Sequence, residues 1–168
     1  MKPLLHTIIF KLILSSLFII PASFAEVNLE EVIVTSDFRE VSAQKSAQSL
    51  TVVTSENLKN RAADHLENIL NIAPNVNFSS GASRGRFFQI RGVGERSQFK
   101  EPLDSSIGLV IDGIDFSNLG LAGALYDVEQ VEILRGPQGT TFGSNAMGGM
   151  INIRSSLPSE DFHGKVNF

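Results

Sequence analysis

The sequence predicts an α+β fold, a small mixed β-sheet with one or two helices on it and long loops between the elements. Three observations predict it. Short runs with the two-residue apolar period of half-buried strands recur at residues 50–53, 76–78, 87–91, 107–116, 131–134 and 150–153. A single helical stripe lies among them, made of Leu58, Ala62, Leu66, Ile69, Leu70 and Ala73. Five of the fourteen glycines fall between the last two strands, at residues 136–149, where the backbone must turn tightly or admit a close approach.

The chain has 168 residues, 42% of them apolar, which suits one packed domain with a leader or tail. The leader spans residues 1–25. Lys2 and Lys11 give it a positive start, the uncharged run from residue 12 to 25 is shorter than the roughly 20 residues a membrane span needs, and Ser23 and Ala25 place small residues for cleavage after Ala25. Without Lys2 and Lys11, 12 basic residues face 18 acidic ones, a net charge of −6 that argues against a nucleic-acid partner. The absence of cysteine excludes disulfides, thiolate metal sites and a lipid-modified cysteine anchor.

Residues 26–48 are polar apart from the island Val32, Ile33 and Val34, too little to bury, and are expected to form a flexible tail. The folded domain is expected over residues 49–155, opening with the strand at 50–53. A helix follows from Thr54, Ser55 and Glu56. Asp64 with Glu67 three residues on is a second helix start, so the helical region should break near Ala62 and Ala63, and Pro74 should end it. His65, beside the stripe and with no other ligand type near it, is expected at the surface or its boundary. Residues 79–86 form a Gly/Ser/Arg loop between the strands at 76–78 and 87–91. Residues 92–106 are a longer polar loop, of a length that small domains keep for function. Asp112-Gly113 lies between the alternating Ile107, Leu109, Ile111 and Ile114, Phe116, the pattern of a two-residue hairpin turn with positive φ.

Enzyme motifs fail residue by residue. Residues 139–144 look like a phosphate-binding loop but lack its lysine, and Gly92 and Gly94 begin a dinucleotide fingerprint that ends on Ser97. His65 and His163 stand far apart with no carboxylate pattern for zinc, and no Gly-x-Ser-x-Gly elbow exposes a nucleophile. Asn77-Phe78-Ser79 fits a glycosylation acceptor by coincidence. No catalytic residue, metal ligand or cofactor is expected.

Two stretches carry a resemblance. Glu31, Val32, Ile33, Val34, Thr35 and Ser36, following Leu29 and Glu30, resemble the TonB box of TonB-dependent receptors, and a mobile β-branched run is suited to add as a strand to the edge of a partner's sheet. The same run also reads as a short N-terminal strand of the domain itself. The run VEILRGPQGTTFGSNAMGGMINI at residues 131–153 resembles the plug-domain signature of that family over 23 consecutive positions, and residues 90–92 and 110–114 match its internal segments in order. The resemblance covers residues 26–168. The family usually has a proline before the first strand where this chain has Ala47, Gln48 and Ser49, so the exact start of the domain stays open.

The resemblance implies a plug lodged in a 22-stranded outer-membrane barrel and pulled by TonB from the periplasm. It sets Arg91, Glu132 and Arg135 towards the barrel wall, the two arginines facing acidic residues there, since a buried charge needs a partner. For each arginine the plainer alternative is an ordinary surface residue. The outside-facing loops would present Arg84, Arg86, Arg96 and Lys100, but Glu95, Glu101 and Asp104 mix the charge, so an anionic ligand is favoured only weakly. The expected function is the gate of a receptor for a scarce nutrient complex such as a ferric siderophore, haem or cobalamin. The rivals are a free-standing periplasmic binding or TonB-titrating protein and an interrupted gene product. A barrel needs about 220 residues in its strands alone. The 15 residues after Ile153 hold a linker, 156–168, and at most the start of one strand, so a chain truncated before its barrel is expected, periplasmic if no barrel accompanies it. Mass spectrometry of the envelope fraction is expected to find Glu26 at the mature N-terminus; an intact Met1 there would overturn the export assignment.

Overall fold

Period-two alternation becomes a five-stranded mixed sheet in the computed structural model, which describes residues 31–35, 41–80, 84–96, 105–117, 119, 123–160 and 164. The leader expected at residues 1–25, the strand start expected at 165–168, Ser36 and Lys100 lie outside the described residues. The sheet is built from β3 (Leu50–Thr54), β6 (Ile107–Ile111), β7 (Ile114–Asp115), β8 (Val128–Arg135) and β9 (Gly149–Ser155), in the spatial order β3-β8-β9-β6-β7. β8 runs antiparallel to both β3 and β9, with Val53 opposite Val131 and Ile133 opposite Ile151. β9 and β6 are parallel, with Leu109 opposite Ile151. Asp112 and Gly113 both have positive φ, 48° and 83°, and close the β6–β7 hairpin as expected.

The two faces of this sheet differ because side chains alternate along each strand. One face presents Val53, Leu109, Val131, Ile133, Ile151 and Ile153, all buried in the main core. Burying each such side chain contributes about 1.5–3 kcal/mol. Against this face pack α1 (Ser55–Asn60), two 3-10 turns (Leu66–Asn68 and Leu70–Ile72) and the hairpin of β4 (Val76–Ser80) with β5 (Gly85–Ile90). The other face carries Gln130, Glu132 and Asn152, then Leu134 and Met150 towards one end, with Val110 beside Asn152 on the neighbouring strand.

Several local expectations are corrected. The helical region does break at Ala62, whose φ is 48°, but that turn leaves Ala62 exposed and off the buried stripe. The next helical turn is 3-10, and its cap is His65, not Asp64. The His65 ring accepts the Glu67 N–H while the Asn68 side chain accepts the His65 N–H at 3.0 Å. His65 is 4% exposed, not at the surface, because residues 123–125 cross over it: Leu66 N–H donates to Gly123 O and Leu125 N–H to Asp64 O. The loop expected at residues 79–86 is shorter, since Ser79 and Ser80 belong to β4 and Gly85 and Arg86 to β5. The glycine-rich stretch contains a four-residue helix, α2 (Gly139–Phe142), that no apolar period announced. In the expected flexible tail, β1 (Ile33–Val34) pairs antiparallel with β2 (Val41–Ser42), because side chains of β8 satisfy the outer main-chain groups of β1.

Gly149 opens β9 with φ 154°, and a Cβ there would lie 2.6 Å from Leu134 O and 2.7 Å from Ile90 Cδ1. Gly139, at the start of α2, has nothing within 4 Å of a Cβ. Gly149→Ala is therefore expected to lower stability by about 2 kcal/mol or more in urea unfolding, and Gly139→Ala by less than about 0.5 kcal/mol.

Candidate coupling and barrel-facing site

β1 is a strand of two residues, too short to hold itself, and three further contacts place it. On its β2 side, Val32 O accepts the Ala43 N–H at 2.9 Å. On its other side the Gln130 side-chain amide donates to Ile33 O at 2.9 Å, and the Thr35 N–H donates to Glu132 Oε1 at 2.9 Å. Val34 is buried while Ile33 remains 45% exposed. Of the residues expected to bind a coupling partner, Glu31, Val32, Ile33, Val34 and Thr35 thus form one extended segment laid over the polar end of the sheet.

Glu132, expected towards a barrel wall, is wholly covered in this arrangement, at 0% exposure. Its carboxylate accepts from Thr35 N–H, from the Gln130 side chain at 2.7 Å and from the Asn152 side chain at 3.2 Å. Amide, main-chain and hydroxyl donors, the last from Thr35 Oγ1 at 3.4 Å, solvate it in place of water, and none of them is cationic. Sequence reasoning misses Gln130 and Asn152. A signal for the first exists: Gln130 and Glu132 share one parity in β8, opposite to Val131 and Ile133, but apolar alternation alone starts the strand at residue 131.

Arg91 and Arg135 meet at the start of β3. Arg135 N–H donates to Ser49 O, and its guanidinium reaches Leu50 O at 3.4 Å and Pro74 O at 3.5 Å. Arg91, in the left-handed region with φ 54°, donates its own N–H to Asn75 O and its guanidinium to Ser49 Oγ at 3.0 Å. Both cations are bound only by neutral oxygens, and among the described residues no carboxylate forms an ion pair with either. Alternation placed Arg91 in a strand and Arg135 just past one, whereas β5 ends at Ile90 and β8 includes Arg135, and it could not show that the two would share one corner.

The loop residues gather at the far end of the β4–β5 hairpin. Arg84 and Arg86 are exposed there, Arg86 lying 5.5 Å from the centre of the Phe87 ring. Exposed Arg96 is tied to the same hairpin, since Ser79 Oγ donates to its carbonyl and the Gln89 amide donates to Ser79 Oγ and to Glu95 O. Glu95, in the sequence only a loop charge, turns inward and accepts Ser106 N–H at 3.0 Å and Ser106 Oγ at 2.6 Å. Asn145 of the glycine-rich stretch accepts the Ser105 N–H and donates to Asp115, so three loops share one set of polar contacts.

A model of the family "TonB-dependent Receptor Plug Domain" matches residues 42–150. The chain belongs to that family. The plug match begins inside β2 and ends in β9, so Arg91, Glu132 and Arg135 fall within it and β1 lies N-terminal to it. Relatives include the pesticin receptor of Yersinia pestis, 32% identical over 74% of this chain, and the catecholate siderophore receptor Fiu of Escherichia coli, 30% identical over 69%. The chain spans 18% of the former's length and 14% of the latter's. The ferric yersiniabactin uptake receptor FyuA of Yersinia pestis superposes with a TM-score of 0.58 at 31% identity, over 68% of this chain and 18% of that one. The ferripyoverdine receptor of Pseudomonas aeruginosa, 20% identical, shares the fold with a TM-score of 0.62, over 78% of this chain and 17% of its own.

Asp115 supplies a pH test of how the plug loops are held. Partial burial pushes its pKa up, but hydrogen bonds from the Ser117 hydroxyl, the Ser117 N–H and Asn145 outweigh this, and the carboxyl stays below its ordinary 3.8. A folded-state pKa depressed in this way adds stability that is present above 3.8 and lost as pH falls through the folded value. Thermal melts between about pH 5 and about pH 2 are expected to show a loss that is larger in the wild type than in Asp115→Asn, the difference being the share of this one carboxyl.

Proposed function

We propose that this plug is the gate of a TonB-dependent outer-membrane receptor that takes up a ferric siderophore, with Glu31 to Ser36 as the segment TonB engages. The observation that carries this is the position of β1: a β-branched strand at the N-terminal border of the plug, whose outer edge is bound by side chains and not by a neighbouring strand. Such an edge suits strand addition, in which main-chain bonds supply the affinity. In this reading residues 1–25 export the chain, 26–48 couple it, 49–155 close the lumen, and 156–168 lead towards a 22-stranded barrel.

The arginine corner supports the same reading. Two guanidiniums held by neutral oxygens are ready for carboxylates from outside the plug, and Arg91 and Arg135 would meet them on the barrel wall. Arg84, Arg86, Arg96 and Lys100 would face the ligand on the opposite side. The cargo is inferred from relatives named for ferric yersiniabactin, ferric enterobactin and catecholate siderophores.

Ile33→Pro removes a main-chain donor and is expected to abolish binding of the TonB periplasmic domain in titration calorimetry, whereas Ile33→Val is expected to leave it nearly unchanged. Equal binding by both variants would show residues 31–36 to be a linker. Deleting the gene is expected to abolish siderophore-dependent growth under iron limitation; loss of haem or cobalamin use instead would keep the gate and change the cargo.

A further inference from the structure

Val32 O is bonded to Ala43 of β2, and in a strand of period two the main-chain groups of Val34 point the same way. Those of Ile33 and Thr35 therefore point to the opposite side, away from β2. Ile33 O and Thr35 N–H are the acceptor and donor that an added third strand would use. Here Gln130 donates to the first and Glu132 accepts from the second, both at 2.9 Å. A side-chain amide and a carboxylate thus take the places of a neighbouring strand's N–H and C=O. The imitation is built: Gln130 and Glu132 are 7% and 0% exposed, adjacent on one face of β8, and joined to each other at 2.7 Å.

The geometry points to Gln130 and Glu132 as a latch that occupies the pairing edge of β1 and competes with TonB for it. This rests on the proposal that β1 is the TonB-binding segment. The latch edge is the one given up, because it holds β1 by two side chains, while the β2 edge is a main-chain ladder within the same hairpin. β1 and β2 then leave the face of β8 together as one hairpin, and TonB adds as a third strand beside β1. Departure also uncovers Glu132. While β1 is docked the carboxylate cannot reach a barrel wall, and once β1 has left it can, so one residue takes two partners in turn.

The test compares the full chain, Glu132→Ala, Gln130→Ala and a synthetic peptide of residues 29–36, each titrated with the TonB periplasmic domain, alongside amide hydrogen exchange at Thr35. The latch requires the wild-type chain to bind more weakly than the peptide. It also requires each variant to bind TonB about tenfold more tightly than wild type and to exchange the Thr35 N–H about tenfold faster, the weight of one hydrogen bond. Gln130→Ala acts from the other bond of the pair, so a folding defect in Glu132→Ala leaves the test intact, and melting curves identify it. A peptide that binds TonB beside a wild-type chain binding as tightly as both variants would overturn the latch and leave β1 as the TonB segment. A peptide that does not bind would overturn both.

Discussion

β8 carries two faces of opposite chemistry one residue apart, and the rest of the described chain is arranged to cover both. Val131 and Ile133 point into the apolar core, while Gln130 and Glu132 point the other way and are buried as well. A buried carboxylate without hydrogen bonds costs several kcal/mol, so the polar face needs donors and not merely a lid. Asn152 on β9 supplies one, Gln130 another, and the Thr35 main chain the third. The N-terminal segment is ordered over this face because β8 demands something there that can donate.

That demand links the ends of the domain. β3 and β9 flank β8 and β6 lies beyond β9, with the apolar face locked by α1, the 3-10 turns and the β4–β5 hairpin. The polar face is closed by a segment of few residues held by side chains. Elements held by few apolar contacts open first. A strong core on one side and a light cover on the other let the N-terminal segment detach while the sheet stays folded.

The loops follow a related logic. Glu95, Asn145 and Asp115 tie the stems of three loops to one another by carboxylate and amide contacts, so the loop bearing Arg96 and the glycine-rich stretch are held in common. The positive groups stay outside this arrangement: Arg84, Arg86 and Arg96 are exposed at the hairpin end, and Arg91 and Arg135 collect at the sheet corner beside Ser49 and Pro74.

The sequence by itself determined the α+β class, the strands from β3 to β9 apart from their exact ends, the Asp112-Gly113 turn and the family, because these depend on local periodicity, turn chemistry and a long motif. It did not place Gln130, because apolar alternation starts that strand at residue 131 whereas β8 begins at Val128. Tertiary structure decided what lies over the polar face of β8, since whether a short apolar island such as Val32–Val34 stays loose or docks depends on partners about a hundred residues away. It also moved the helix cap from Asp64 to His65, because residues 123–125 cross there and draw the imidazole inward. Pairwise local signals carry no information about such crossings. The convergence of Arg91 with Arg135 has the same cause: the register of β3 against β8 brings Ser49 beside both, and register is a property of the assembled sheet.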